Sequence, residues 1–92
     1  MISYDFGSFV KSLAGHDKDK IYVIMEQDNE YIYLSDGAYR GVSNLKRKRR
    51  KHVQWIGYKD EKLIQKFLEK KPVRDEDVKR AVKNYNQLQA RK

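Results

Sequence analysis

Turn signals come too often in the first 56 residues for helices to fit between the apolar runs. Gly15 closes the first run, Asp28-Asn29 the second and Asp36-Gly37 the third. Parallel strands need a crossover of a dozen or more residues, so the strands here are expected to pair antiparallel. Five are predicted. Residues 7–14 carry Phe9 and Val10, and residues 30–35 alternate Tyr31, Ile32, Tyr33 and Leu34. Residues 38–45 contribute Val42 and Leu45, and residues 53–56 form a short last strand. Residues 20–27 are rich in β-favouring side chains on both faces, as suits a central strand covered on both sides. The expected fold is mainly β, a small barrel or sandwich, with closure or near-closure removing exposed edges.

Between the fourth and fifth predicted strands lie six consecutive cations: Lys46, Arg47, Lys48, Arg49, Arg50 and Lys51. Residues 1–45 hold only four cations against seven acids, so the net charge of +8 is concentrated rather than spread. Concentrated charge focuses field on a polyanion. Nucleic acid is therefore the first candidate partner and an anionic membrane surface the second. The alternative is a solvated basic loop with no partner.

The apolar period changes at Asp60. Leu63, Ile64, Phe67 and Leu68 share one helical face, and Pro72 breaks that helix. Asp75, Glu76 and Asp77 then supply acids suited to a helix N-terminus. Val78, Ala81, Val82 and Tyr85 follow at helical spacing, with fraying expected after Gln87. The organisation predicted is a β unit over residues 1–58 and a basic two-helix appendage over residues 59–92. The first helix's apolar face is expected to pack on the second helix or on the β unit.

The same residues argue against several function classes. There is no cysteine, and only His16 and His52 among histidines, so neither a thiolate metal site nor a nucleophilic triad is expected. Gly15 stands alone and opens no helix, so no phosphate-cradling nucleotide loop is expected. No enzyme activity, metal, cofactor or small-molecule substrate is foreseen. No apolar stretch approaches the length of a membrane span, and the first residues do not resemble a secretory signal. A soluble cytoplasmic protein is expected.

The pattern Gly7-x-x-Val10, then Gly15-x-Asp17-Lys18-x-Lys20 and an apolar strand, resembles the KOW motif. Leu34-Ser35-Asp36-Gly37 follows, with Arg40, Val42 and a basic run ending in Lys51-His52-Val53-Gln54. This order is similar to the branch of that family found in eukaryote-type and archaeal-type large-subunit ribosomal proteins. The likeness spans about residues 7–56. It implies a small five-stranded SH3-like barrel that binds RNA. The family commonly has glycine where this chain has Asp19, a residue that can occupy the same left-handed conformation only at a higher cost.

On this reading the protein is a ribosome-associated, rRNA-binding module that recognises structured RNA through phosphate contacts. The contact residues expected are His16, Lys18, Lys20, Arg40, Lys46, Arg47, Lys48, Arg49, Arg50, Lys51 and His52. The arginines would fork onto phosphates, and the histidines would stack on a base or meet a 2′-hydroxyl. Tyr22, Tyr31 and Tyr33 are read as packing residues with wet hydroxyls, and Trp55 as a barrel-closing residue or the contact for the helices. The rival is a protein–protein adaptor docking an acidic partner, with the C-terminal helices as a protein contact. DNA or a transcription complex is a third option.

Overall fold

Ile21–Gln27 forms the central strand of the sheet, and its composition explains why. Tyr22 and Ile24 point to one side and Val23 to the other, and all three are buried. In the computed structural model, which describes residues 6–90, the chain runs β1 (Ser8–Ser12), β2 (Ile21–Gln27), β3 (Tyr31–Ser35), β4 (Lys46–Arg49) and β5 (Val53–Lys59). Helices α1 (Glu61–Leu68) and α2 (Asp75–Ala90) follow. All ladders are antiparallel, in the order β4-β3-β2-β1-β5.

Each face of the sheet carries its own core. Phe9 and Val23 meet Leu63, Val78, Ala81 and Tyr85 of the two helices. Phe9 packs edge-on against Tyr58, with ring centroids 4.9 Å apart, and Tyr85 closes the aromatic cluster. Burying Leu63 and Val78 contributes roughly 1.5–3 kcal/mol each. The opposite face gathers Val10, Tyr22, Ile24, Ile32, Leu34 and Val53 without any helical residue. The sheet rolls over this second core and shields it with its own strands.

Two expectations need correction. The sheet is open, because β4 and β5 are its edges and do not pair with each other; the barrel is not closed. Residues 38–45 are a loop, and the fourth strand lies instead within the basic run. The Asp36 carboxylate accepts the backbone N–H groups of Ala38 and Arg40, which bends the chain out of the sheet. Gly37 completes the bend at φ 75° and presses on α2, where an added Cβ would sit 2.7 Å from the Lys79 nitrogen. Asp75 then fastens the loop to the same helix by accepting the Val42 N–H at 2.7 Å.

The helices begin as their acids suggest. Asp60 caps α1 by accepting the Leu63 N–H, and it also receives Arg80 of α2 at 3.1 Å. Asp77 accepts the Arg74 N–H at the start of α2 and pairs with Lys66 of α1. α2 runs to Ala90, beyond the fraying point expected at Gln87. On α1, however, only Leu63 of the predicted apolar face is buried. Phe67 and Leu68 are 57% and 73% exposed, and Phe67 stacks on Phe6. Trp55 neither closes a barrel nor meets a helix. It pairs with Val10 on the face away from the helices and stays half-exposed at the sheet edge.

Candidate functional site

Alternation along β4 divides the cations into two sets. Lys46 and Lys48 lie opposite Leu34 and Ile32, whose side chains enter the helix-free core; Arg47 and Arg49 lie opposite Tyr33 and Tyr31. The two lysines therefore turn inward and the two arginines outward, as the two-residue period of a strand requires.

The inward set faces Asp17, which takes up Lys48. Lys48 Nζ donates to Asp17 Oδ1 and to the Ala14 carbonyl, each at 2.7 Å, and its side chain is only 10% exposed. Ser12 Oγ and Tyr22 OH donate to the same carboxylate, and Lys46 Nζ lies 4.0 Å from it. Burial alone would raise the Asp17 carboxyl, but the hydrogen bonds from Lys48, Ser12 and Tyr22 outweigh it and hold the pKa at about 2. Burial and the bond to this carboxylate push the Tyr22 phenol well above its usual range. The Tyr22 hydroxyl is thus bonded to Asp17 rather than left to water.

The outward set faces solvent over Tyr31. The Arg47 guanidinium carbon lies 4.6 Å from the Tyr31 ring centroid and that of Arg49 lies 5.7 Å away. Such stacking orders the stem of an arginine while its donors remain available. His52, Ala14 and Gly15 join these residues around a shallow open depression. Arg50 starts the 3-10 turn Arg50–His52 and donates back to the Asp28 carbonyl and Gln27 Oε1, so it clamps the β2–β3 turn. Asp28 in turn receives the Tyr31 N–H, the Tyr33 hydroxyl and the Glu30 N–H, which keep its carboxyl below the usual range.

His16, Lys18, Lys20 and Arg40 lie on loops at the end of the sheet where β4 begins, and Lys51 and His52 in the 3-10 turn that follows β4. His16 and Lys18 are exposed. Lys20 pairs with Asp36 at 2.6 Å, and Arg40 is half-buried with a long bond of 3.5 Å to Asn44. Burial would raise the Asp36 carboxyl, but Lys20 and the two backbone donors hold it low. Asp19 adopts φ 72°, the left-handed turn its position demands, and lies 3.8 Å from Lys11. Lys51 is exposed and His52 half-buried.

The structure thus brings Arg47, Arg49 and His52 together and withdraws Lys48, Lys20 and Arg50 into structural bonds. Sequence reasoning missed Asp17 and Asp36 as the acids that absorb lysines, and Tyr31 as an arginine platform. The strict Lys-Arg-Lys-Arg alternation of residues 46–49 was the available signal. No group of three or more His, Cys, Asp or Glu among the described residues is placed to hold a metal, and no described helix is long and apolar enough to cross a membrane. A scan against protein-family models and a search of curated proteins find no match to this chain.

Proposed function

We propose that the chain is a KOW-type, SH3-like RNA-binding module, ribosome-associated and cytoplasmic, that grips structured RNA by its phosphates and performs no catalysis. The observation that carries this reading is the outward row of β4. Arg47 and Arg49 stand side by side over Tyr31 with no acid bonded to them among the described residues, while Lys48 between them is paired with Asp17 from inside. A strand that meets an acid only on its inner face retains the charge on its outer one. Lys51 and Lys18 add exposed charge, and His16 is exposed on the loop that carries Lys18. Duplex RNA offers side chains mainly phosphates and 2′-hydroxyls, so such a surface favours shape over sequence.

The test is a salt titration of binding to ribosomal RNA fragments, comparing wild type with an Arg47→Gln/Arg49→Gln/Lys51→Gln variant that spares Lys48. Contacts to about three to six phosphates give a log–log slope of roughly −2 to −5. The variant is expected to lose affinity and part of that slope. A flat wild-type titration, or identical behaviour of the two proteins, removes the proposal. Duplex DNA at matched salt separates RNA from DNA preference.

A second reading, an adaptor for an acidic protein, is favoured by the exposure of Phe67 and Leu68 beside a groove that also touches Phe6, Met25 and Ile64. Lys59, Lys70 and Lys71 line this groove and the depression adjoining it, together with Glu26. Although Lys71 is paired with Glu69, the cations outnumber the acid, which suits an acidic segment with apolar anchors. Selection of displayed random peptides on the wild type, counter-screened on Phe67→Ser/Leu68→Ser, is expected to enrich acidic, aromatic sequences under this reading. Enrichment indifferent to the double substitution excludes it.

A further inference from the structure

Tyr39 is the most exposed large apolar side chain of the described residues, at 87%, yet the backbone that carries it is fixed by several hydrogen bonds. Asp36 accepts the N–H on either side of it, from Ala38 at 2.8 Å and from Arg40 at 2.9 Å. The Arg40 carbonyl accepts from Ser35 Oγ at 2.7 Å and from the Asp36 N–H at 3.0 Å. Gly37 is wedged against α2, and Asp75 holds Val42. None of these bonds needs an aromatic ring at position 39, and the ring joins neither core. A rigid mount that presents a bare ring has already met the ordering cost of a binding surface.

The ring's surroundings indicate what it would accept. Lys20 Nζ lies over Tyr39, 5.2 Å from its centroid, while bonded to Asp36 at 2.6 Å. The ammonium therefore occupies one face of the ring and is fixed there by the same aspartate that shapes the loop. The opposite face is open. The loop leads directly into β4, and Lys20 ends the β1–β2 loop that bears His16 and Lys18. The open face thus stands at the same end of the sheet as these cations.

Resting on the RNA reading above, we infer that Tyr39 is a stacking platform for one unpaired base. The preferred RNA is then a helix interrupted by an extruded nucleotide. Phosphates of the helix meet the arginine row, and the base lies on Tyr39. Stacking on an aromatic ring tolerates any base because each has a π-face, so the element recognised is the presence of the unpaired nucleotide and not its identity.

The experiment uses two RNA hairpins that differ only by a single bulged 2-aminopurine, bound by wild type, Tyr39→Phe and Tyr39→Ala. The wild type is expected to prefer the bulged hairpin by about tenfold, within the range of single base–aromatic stacks, with quenching of the 2-aminopurine. Tyr39→Phe retains both effects. Tyr39→Ala loses both and keeps the salt slope, since stacking displaces no counterions. At 87% exposure neither substitution disturbs the core, which circular dichroism verifies. A bulge preference unchanged in Tyr39→Ala, or one lost in Tyr39→Phe, overturns the platform while leaving the RNA reading intact. Absence of wild-type binding to either hairpin removes the RNA reading itself, and the platform with it.

Discussion

Lys48 and Arg49 are neighbours in the chain, carry the same charge and have opposite fates. Lys48 lies under the β1–β2 loop, bonded to a carboxylate and a carbonyl. Arg49 lies in solvent against the face of Tyr31. Side-chain type fits each location. A lysine ammonium is a compact charge that a single acid and a carbonyl can satisfy, and its four-carbon stem covers apolar surface on the way. A guanidinium stacks on a ring and keeps its donors pointed outward. A run of like charge is therefore two rows, one structural and one available to a ligand, wherever it is folded as a strand.

Breaking the inner row is expected to give the largest effect. Asp17→Asn leaves Lys48 nearly buried without its counter-ion, a situation that costs on the order of 3 kcal/mol. That is a large share of the stability of a domain this small. Urea denaturation measures it, and Lys48→Met on the same background is expected to recover part of the loss by removing the stranded charge. A shift below about 0.5 kcal/mol would show that Lys48 is no more committed than Arg49.

Acid sharpens the same contrast. The Asp17 carboxyl titrates at about 2 in the folded protein against 3.8 for an unperturbed group. A depressed folded pKa contributes stability that is complete above the unfolded value and fades as pH falls toward the folded one. The stability gap between wild type and Asp17→Asn should thus narrow by roughly 2 kcal/mol between about pH 4 and pH 2. Asp36 and Asp77 are lowered too, but both are present in the two proteins and cancel in the difference. A gap that stays constant over this window would mean that Asp17 is not the ionised partner.

The outer row should respond in binding rather than in folding. Arg47→Gln/Arg49→Gln removes two exposed charges, so stability is expected to stay within about 0.5 kcal/mol. The salt slope on duplex RNA should fall in magnitude by roughly 1.8 if each arginine meets one phosphate, with affinity down about tenfold. A variant that unfolds early while its slope is unchanged would reverse the assignment of the two rows.

Much of this architecture was legible in the sequence because short-range chemistry decides it. The apolar run of β2 marked the central strand, the change of period at Asp60 marked the start of α1, and the helical spacing of Val78, Ala81 and Tyr85 located the face that is buried. α1 ends at Leu68, before the predicted break at Pro72, and Lys70 turns left-handed between them at φ 58°. The fourth strand was misplaced for a long-range reason. Nothing local says that Asp17, 31 residues from Lys48, will meet it, and without that acid a lysine-arginine run has no cause to join a sheet. Residues 38–45 fail as a strand because Asp36 and Asp75 capture their N–H groups, and Asp75 acts from 33 residues away. The open edges at β4 and β5 and the exposure of Phe67 and Tyr39 are likewise consequences of tertiary placement.

Arg50 gives the smallest effect and the finest test, because it belongs to neither row. It sits just past the end of β4, where the 3-10 turn ends the alternation, and its guanidinium forks onto the Asp28 carbonyl through Nε at 3.1 Å and Nη2 at 2.6 Å, with Nη2 also reaching Gln27 Oε1 at 2.8 Å. Arg50→Lys keeps the charge and loses the fork, since an ammonium offers no coplanar pair of N–H donors on neighbouring nitrogens. Stability is expected to fall by only about 0.5–1 kcal/mol, the range of a solvent-accessible hydrogen bond, and the salt slope to stay where it was. A slope that fell with the charge preserved would mean that the fork opens to contact phosphate. The outward row would then continue around the turn to Lys51, and its boundary would not be the end of the strand.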